Sequence, residues 1–274
     1  MVRCSSCAHI YLNPRPTRET VAIIYPETYA SFRGVLARPS LMSRVKKAIV
    51  TRRFRTAMGS NQQARVLEIG CGEGQLLMAI REAFPTVELT GLDWRFDPHF
   101  ETLLKSLDIT LITGLAENAH LPRDHYDIII MNQLIEHLWD LDSVLTACHG
   151  ALKPGGTLTV ETPNSDGYDR KMFRKGAWGN YYFPRHFNLF SRDGLRRVLE
   201  RHGFEIRQSI NLLAPLTWIF TMNSLAHRHV ALRWLRKVFT IMNVPAVAFF
   251  AAIDFVVSAT GASTSNQKMN AVKR

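Results

Sequence analysis

From position 65 onward the chain alternates two hydrophobic patterns. Short apolar runs ending in turn residues read as strands at 65–70 (RVLEIG), 87–93 (VELTGLD), 109–114 (ITLITG), 126–132 (YDIIIMN) and 156–163 (GTLTVETP). Between them, apolar residues spaced three and four apart predict helices over 74–84, 97–107 and about 140–152. Strands that alternate with helices imply a parallel sheet covered on both faces. A helix over 191–203, with Ser191 at its N-cap and Gly203 after its end, leads to a further strand at 204–213, and 265–274 reads as one more.

Outside this pattern lie three other segments. Residues 1–17 are a short turn-rich head, and 18–60 carry two expected helices, around 18–25 and 40–58, separated by Pro26, Gly34 and Pro39. Residues 214–263 are an apolar segment between the last two strands, so the core divides into 61–213 and a final strand within 264–274. The uncharged run 238–253 is sixteen residues long, is interrupted by Pro245 and falls short of a membrane span. A single crossing would also leave the final strand on the wrong side of the membrane. Two readings stay open: a hydrophobic lid or dimer interface, and helices lying in a membrane surface, with Arg228, Arg233, Arg236 and Lys237 beside aromatics across 212–260.

Composition changes this picture little, except in charge. The formal net charge of +11 is spread over several basic clusters, which suits anionic lipid surfaces or phosphate-bearing substrates. A basic surface with no specific partner is the competing reading. Four cysteines without a signal peptide indicate a reducing, cytoplasmic setting, at the inner face of the membrane if the apolar segment docks there.

The segment LEIGCGEGQLL places Glu68, Gly70, Cys71, Gly72 and Gly74 between a strand and a helix. Such a loop turns tightly and lets a ligand lie on bare backbone at a helix N-terminus. Asp93, ending the second strand, supplies a carboxylate for ribose hydroxyls. Together they indicate an adenosine-containing cofactor. The dinucleotide fingerprint needs its third glycine at position 75, which is Gln75.

The acidic-x-Gly-x-Gly-x-Gly spacing instead resembles motif I of the class I S-adenosylmethionine-dependent methyltransferases. GLDW, YDIIIMNQLIEHL and LKPGGTLTVETPN follow in that family's order. The resemblance covers roughly residues 60–213. It implies a Rossmann-like, doubly wound α/β sheet of seven strands, mostly parallel with an antiparallel last strand and a helical apolar insert before it. S-adenosyl-L-methionine is the implied cofactor. By the same resemblance, Gly70, Gly72 and Gly74 line its methionine part and Glu68 orders the loop or receives the amino group through backbone or water. Asp93 holds the ribose, Trp94 lies against the adenine, and Ala116 and Glu117 flank the adenine edge. Asn132 and Gln133 sit beside the transferable methyl. Relatives often carry an acidic residue where this chain has Leu115, with Glu117 a substitute.

A hydroxyl acceptor calls for a general base. The candidates are His137 in IEHLWD and His186 in FPRHFNLFS, the latter in a stretch that in this methyltransferase subgroup lies over the mouth of the site. Glu136 precedes His137, and that pair either faces the methyl or caps and stabilises a helix, while His186 is weighed against a purely structural loop histidine. The expected acceptor is a small or lipid-linked molecule, a hydroxyl of a glycan, glycolipid or secondary metabolite. A quinone or other lipid-soluble ring is one alternative, and a non-catalytic S-adenosylmethionine-binding protein another. Nucleic acid is not expected, since NQLI replaces the Asn/Asp-Pro-Pro-aromatic of base-amine methylases. The oligomeric state is left open.

The head, RCSSCAHIYLNPRPT, resembles the second knuckle of a zinc ribbon found in relatives. Cys4 and Cys7 cannot close a tetrahedral site alone, and His9 is a speculative third ligand. A degenerate ribbon without metal, a zinc shared between chains and a translation start placed too far downstream remain open. The expectation is no metal.

Overall fold

The computed structural model describes residues 1–26, 54, 63–173, 176–228 and 233–274. Most of the helix expected over 40–58 lies outside the described residues.

In chain order the described strands are β1 (Val2–Arg3), β2 (Ile10–Tyr11), β3 (Arg65–Ile69), β4 (Glu88–Asp93), β5 (Ile109–Thr113), β6 (Tyr126–Asn132), β7 (Leu152–Pro163), β8 (Asn188–Leu189), β9 (Phe204–Leu212) and β10 (Asn266–Lys273). The described helices are α1 (Val21–Ile24), α2 (Gln75–Ala83), α3 (Pro98–Ser106), α4 (Leu141–Ala151), α5 (Tyr168–Met172), α6 (Arg192–Arg201), α7 (Pro215–Arg228), α8 (Leu235–Val238) and α9 (Val244–Ala259).

Seven strands form one sheet in the order β5-β4-β3-β6-β7-β10-β9. The five strands β5, β4, β3, β6 and β7 run parallel. β10 inserts antiparallel between β7 and β9. This is the expected doubly wound α/β sheet with its antiparallel last strand.

The period-two geometry of a strand sorts neighbouring residues onto opposite faces. Leu67, Ile129 and Met131 pack on one face with Leu145, Cys148 and Leu199 from α4 and α6. Val66, Ile128 and Ile130 pack on the other with Leu77, Ile80 and Leu104 from α2 and α3. Burial on both sides is why β3 and β6 read as continuous apolar runs. Polar side chains start the helices: Asp97 accepts from the His99 N–H ahead of α3, Asp140 from the Ser143 N–H ahead of α4, and Ser191 from the Gly194 N–H ahead of α6. One boundary differs from the pattern. β7 begins at Leu152 rather than 156, because Tyr126 pairs with Leu152 across an irregularity that absorbs the Lys-Pro-Gly-Gly turn.

The head is not a free knuckle. β1 and β2 form a hairpin, and β2 pairs with β8 in a second, three-stranded sheet. The Leu12 N–H donates to the Phe187 carbonyl at 2.9 Å, and the Trp139 indole donates to the Pro16 carbonyl at 3.0 Å. Arg15 donates to the Trp139 carbonyl at 2.9 Å. The LNPRP residues thus tie the segments around His137 and His186 to the N-terminus.

Between β9 and β10, α7–α9 build a small cluster of their own around Trp218, Ile219 and Phe250, with Trp218 and Phe250 stacked at 5.5 Å. Pro245 does not interrupt a helix. It sits in the first turn of α9, behind the N-cap Asn243, where a missing N–H costs nothing. Asp254, buried on α9, accepts from the Trp218 indole at 2.8 Å and from the Ala214 N–H at 2.5 Å, which fastens α9 to the start of α7. No helix among the described residues is long and apolar enough to cross a membrane.

Candidate active site

The carboxyl ends of β3, β4 and β5 open onto a cavity of about 460 Å³, within the usual range of small-molecule sites and at the edge where such sheets bind ligands. The turn after β3 shapes its floor. The Gly70 N–H donates to the Leu92 carbonyl at 2.7 Å, and the Gly72 N–H donates to Asp93 Oδ2 at 2.7 Å, so the loop is locked to the end of β4. Two glycines are required here by geometry. Gly70 has φ +74°, and a Cβ there would come within 2.9 Å of Leu134. Gly74, at φ +71°, caps α2, and a Cβ would come within 2.4 Å of Leu104.

Of the residues singled out in the sequence, Gly70, Gly72, Asp93, Trp94, Ala116, Glu117, Gln133 and His137 line the cavity. Glu68, Cys71, Gly74, Asn132 and His186 are not among its lining residues. The Cys71 side chain is buried, and its sulfur occupies the space beside Gly91. Glu68 is buried below the loop, and one of its oxygens, Oε2, has no hydrogen-bond partner. Burial, reinforced by the charge of Asp93, pushes the Glu68 carboxyl up to about 8, against a hydrogen bond from Asn132. Burial also raises Asp93, opposed by the backbone N–H groups of Gly72, Arg95 and Trp94 and by the Arg95 charge. Trp94 stands at the rim with the Arg95 guanidinium 4.7 Å from its ring centre. Glu117 accepts the Trp139 backbone N–H at 2.9 Å.

The opposite wall is assembled from distant segments. His137, in the turn after β6, meets Tyr25 from just after α1, with its Nδ1 3.0 Å from the Tyr25 hydroxyl and 2.9 Å from the Arg185 carbonyl. Behind it stands His186, the two rings edge-to-face at 4.7 Å. The His186 Nδ1 lies 2.7 Å from the Asn180 carbonyl, and its Nε2 is 4.0 Å from Glu136 Oε1. Glu136 is fully buried and takes the Thr162 hydroxyl on Oε2 at 2.9 Å. Burial holds all three neutral. It pushes Glu136 up to about 8 and His137 down to about 4. His186 falls to about 3, from burial first and then the neighbouring His137.

Tyr25, Thr162 and Arg185 were not singled out in the sequence as parts of the site. Tyr25 is 112 positions from its partner His137, and no local pattern signals that pairing. In the head, His9 lies against Asn188 at 3.2 Å rather than joining a group with Cys4 and Cys7. Among the described residues, no cluster of three metal-ligating side chains includes either cysteine.

Residues 40–209 match the family described as "Methyltransferase domain". Among curated proteins, one named "Probable S-adenosylmethionine-dependent methyltransferase", from Mycolicibacterium smegmatis, is 30% identical over 151 residues, 54% of each chain. A ubiquinone biosynthesis O-methyltransferase of Escherichia coli is 27% identical over 171 residues, 61% of this chain and 64% of that one. The chain thus spans between about half and two thirds of the length of these relatives. Among solved structures, phosphoethanolamine N-methyltransferase 2 of Haemonchus contortus, in complex with S-adenosyl-L-methionine, superposes with a TM-score of 0.56 at 18% identity, covering 84% of this chain and 52% of that one. At that identity the likeness speaks for the fold.

Proposed function

The chain belongs to the methyltransferase-domain family, and on that premise we propose that it transfers the methyl group of S-adenosyl-L-methionine to an oxygen of a small-molecule acceptor. The cofactor fits the cavity on two local grounds: the left-handed turn at Gly70 and Gly72, which leaves bare backbone on the cavity floor, and the Asp93 carboxylate at the end of β4 on the same cavity. Gly70 and Gly72 would face its methionine part, Asp93 its ribose, and Trp94, Ala116 and Glu117 its adenine. Bound there, it supplies a methyl group made electrophilic by a sulfonium.

The protein's task is then to align the acceptor and exclude water. The observation that carries the reading is the placement of His137, neutral and backed by His186 and Glu136, across one cavity from the glycine loop and Asp93. That side handles the acceptor's proton. A hydroxyl of a glycan, glycolipid or secondary metabolite is the acceptor class we favour. A lipid-soluble ring is a second reading, favoured by the outer side of α9, where Val244, Phe249, Phe255 and Val256 are each at least 60% exposed. With Arg236 and Lys237 exposed nearby, the same surface supports contact with an anionic lipid bilayer.

Incubation with methyl-labelled cofactor and separate glycan, glycolipid and quinone-containing lipid extracts tests the reading. Label in a polar glycan or glycolipid supports the first class, and label only in quinones moves the assignment to the second. Tight cofactor binding with no labelled product in any extract would leave a cofactor-binding protein without transfer and sink the proposal.

A further inference from the structure

Behind the cavity, Glu136, His137 and His186 converge so that one ligand atom from each lies within 4.8 Å of the others. We infer that these three side chains form a binding site for a divalent transition-metal ion, zinc being the best match to the donors.

The hydrogen bonds already made fix the donor set. A carbonyl can only accept, so the Nδ1 atoms facing the Asn180 and Arg185 carbonyls carry the protons, and the Tyr25 hydroxyl beside His137 Nδ1 then acts as a second acceptor. Each ring is thereby left with its lone pair on Nε2. An imidazole held by a backbone carbonyl through its other nitrogen is the usual arrangement of a metal-ligating histidine.

Glu136 supplies the independent observation. The residue is 0% exposed, its Oε2 is occupied by Thr162, and its Oε1, 4.0 Å from His186 Nε2, has no hydrogen-bond partner. A buried oxygen without a partner is costly, and a cation between Glu136 and the two imidazoles would satisfy it. Two imidazoles and one carboxylate with a further position open is a recurring zinc donor set. Ligand atoms on a tetrahedral zinc lie about 3.3 Å apart, given bonds of about 2.0–2.1 Å. Small side-chain shifts would close the present spacing.

The site borders the cavity through His137. An acceptor oxygen in the open position would lose its proton more easily, a role that rests on the transfer reading above, whereas the binding of the ion does not.

The test loads the full chain with zinc or cobalt(II), removes free metal and measures bound metal and the cobalt visible spectrum. Stoichiometric binding is expected, with cobalt bands free of thiolate charge transfer. Glu136→Gln and His186→Gln are expected to lose the ion while still binding cofactor, and the Cys4→Ser/Cys7→Ser double variant is expected to keep it. Absence of stoichiometric metal would overturn the proposal. So would thiolate charge transfer, or metal lost only with the cysteines. Should the Glu136 and His186 variants fail to fold, the wild-type cobalt spectrum decides. Methyl transfer without bound metal would refute the site and leave the proposed activity standing.

Discussion

The two walls of the cavity are built by different means. The cofactor wall comes from the consecutive strands β3, β4 and β5, and much of it is backbone: the Gly70–Gly72 turn, its N–H bond to Asp93 and the residues just past β5. The wall we assign to the acceptor comes from three separate segments, with the Tyr25 hydroxyl and His137 112 positions apart and His137 and the Arg185 carbonyl 48 apart. A wall of backbone conformation must use glycine and therefore marks the sequence locally. A wall of converging segments leaves no such mark.

The contrast predicts that the acceptor wall governs turnover while the cofactor wall governs folding and cofactor affinity. The largest effect is expected from His137→Gln, which should lower methyl transfer by about 10²–10⁴-fold with cofactor affinity unchanged by calorimetry. A parallel fall in affinity would dissolve the distinction. Next is Gly74→Val, which combines a φ of +71° with a Cβ 2.4 Å from Leu104. Strain and overpacking together should cost about 2–4 kcal/mol in urea denaturation. Asp93→Ala should weaken cofactor binding by about 10- to 100-fold, the loss of charge-assisted hydrogen bonds, and should lower the unfolding midpoint by less than Gly74→Val does, because the Gly72 N–H loses its acceptor. A stability loss matching that of Gly74→Val would make Asp93 chiefly a structural brace.

A further expected effect is a pH slope from Glu68, whose carboxyl is raised from its ordinary 4.5 to about 8. Below about 4.5 both folded and unfolded forms hold the proton. Between there and about 8 the unfolded chain ionises while the folded one does not, so stability falls as pH rises, by at most about 1.4 kcal/mol per pH unit. Glu68→Gln should remove its share of that slope and leave the share of Glu136, which burial raises over the same range. An unchanged curve would mean that Glu68 is already ionised in the folded protein.

Most of the sheet was legible because each strand had to be apolar to be buried. The alternation of Val66 and Leu67 onto opposite faces is the same fact seen in the sequence and in the core. β10, despite its polar residues, was legible as a final strand. Pro245 was misleading: it reads as an interruption of an apolar run, yet with Asn243 as cap it opens α9. The head looked like half of a metal ribbon, whereas its hydrogen bonds run to Phe187 and Trp139.

By itself, then, the sequence determined the alternating architecture, the glycine turn and the carboxylate at the end of the second core strand. Each depends on neighbours along the chain and on the conformations those residues can adopt. Only the tertiary structure decided that His186 stands behind His137 rather than at the cavity, that Tyr25 meets His137, and that Glu136 keeps a buried oxygen unpaired beside them. Those relations follow from packing between segments distant in sequence, and burial, which neutralises the three central groups, exists only once the segments have met.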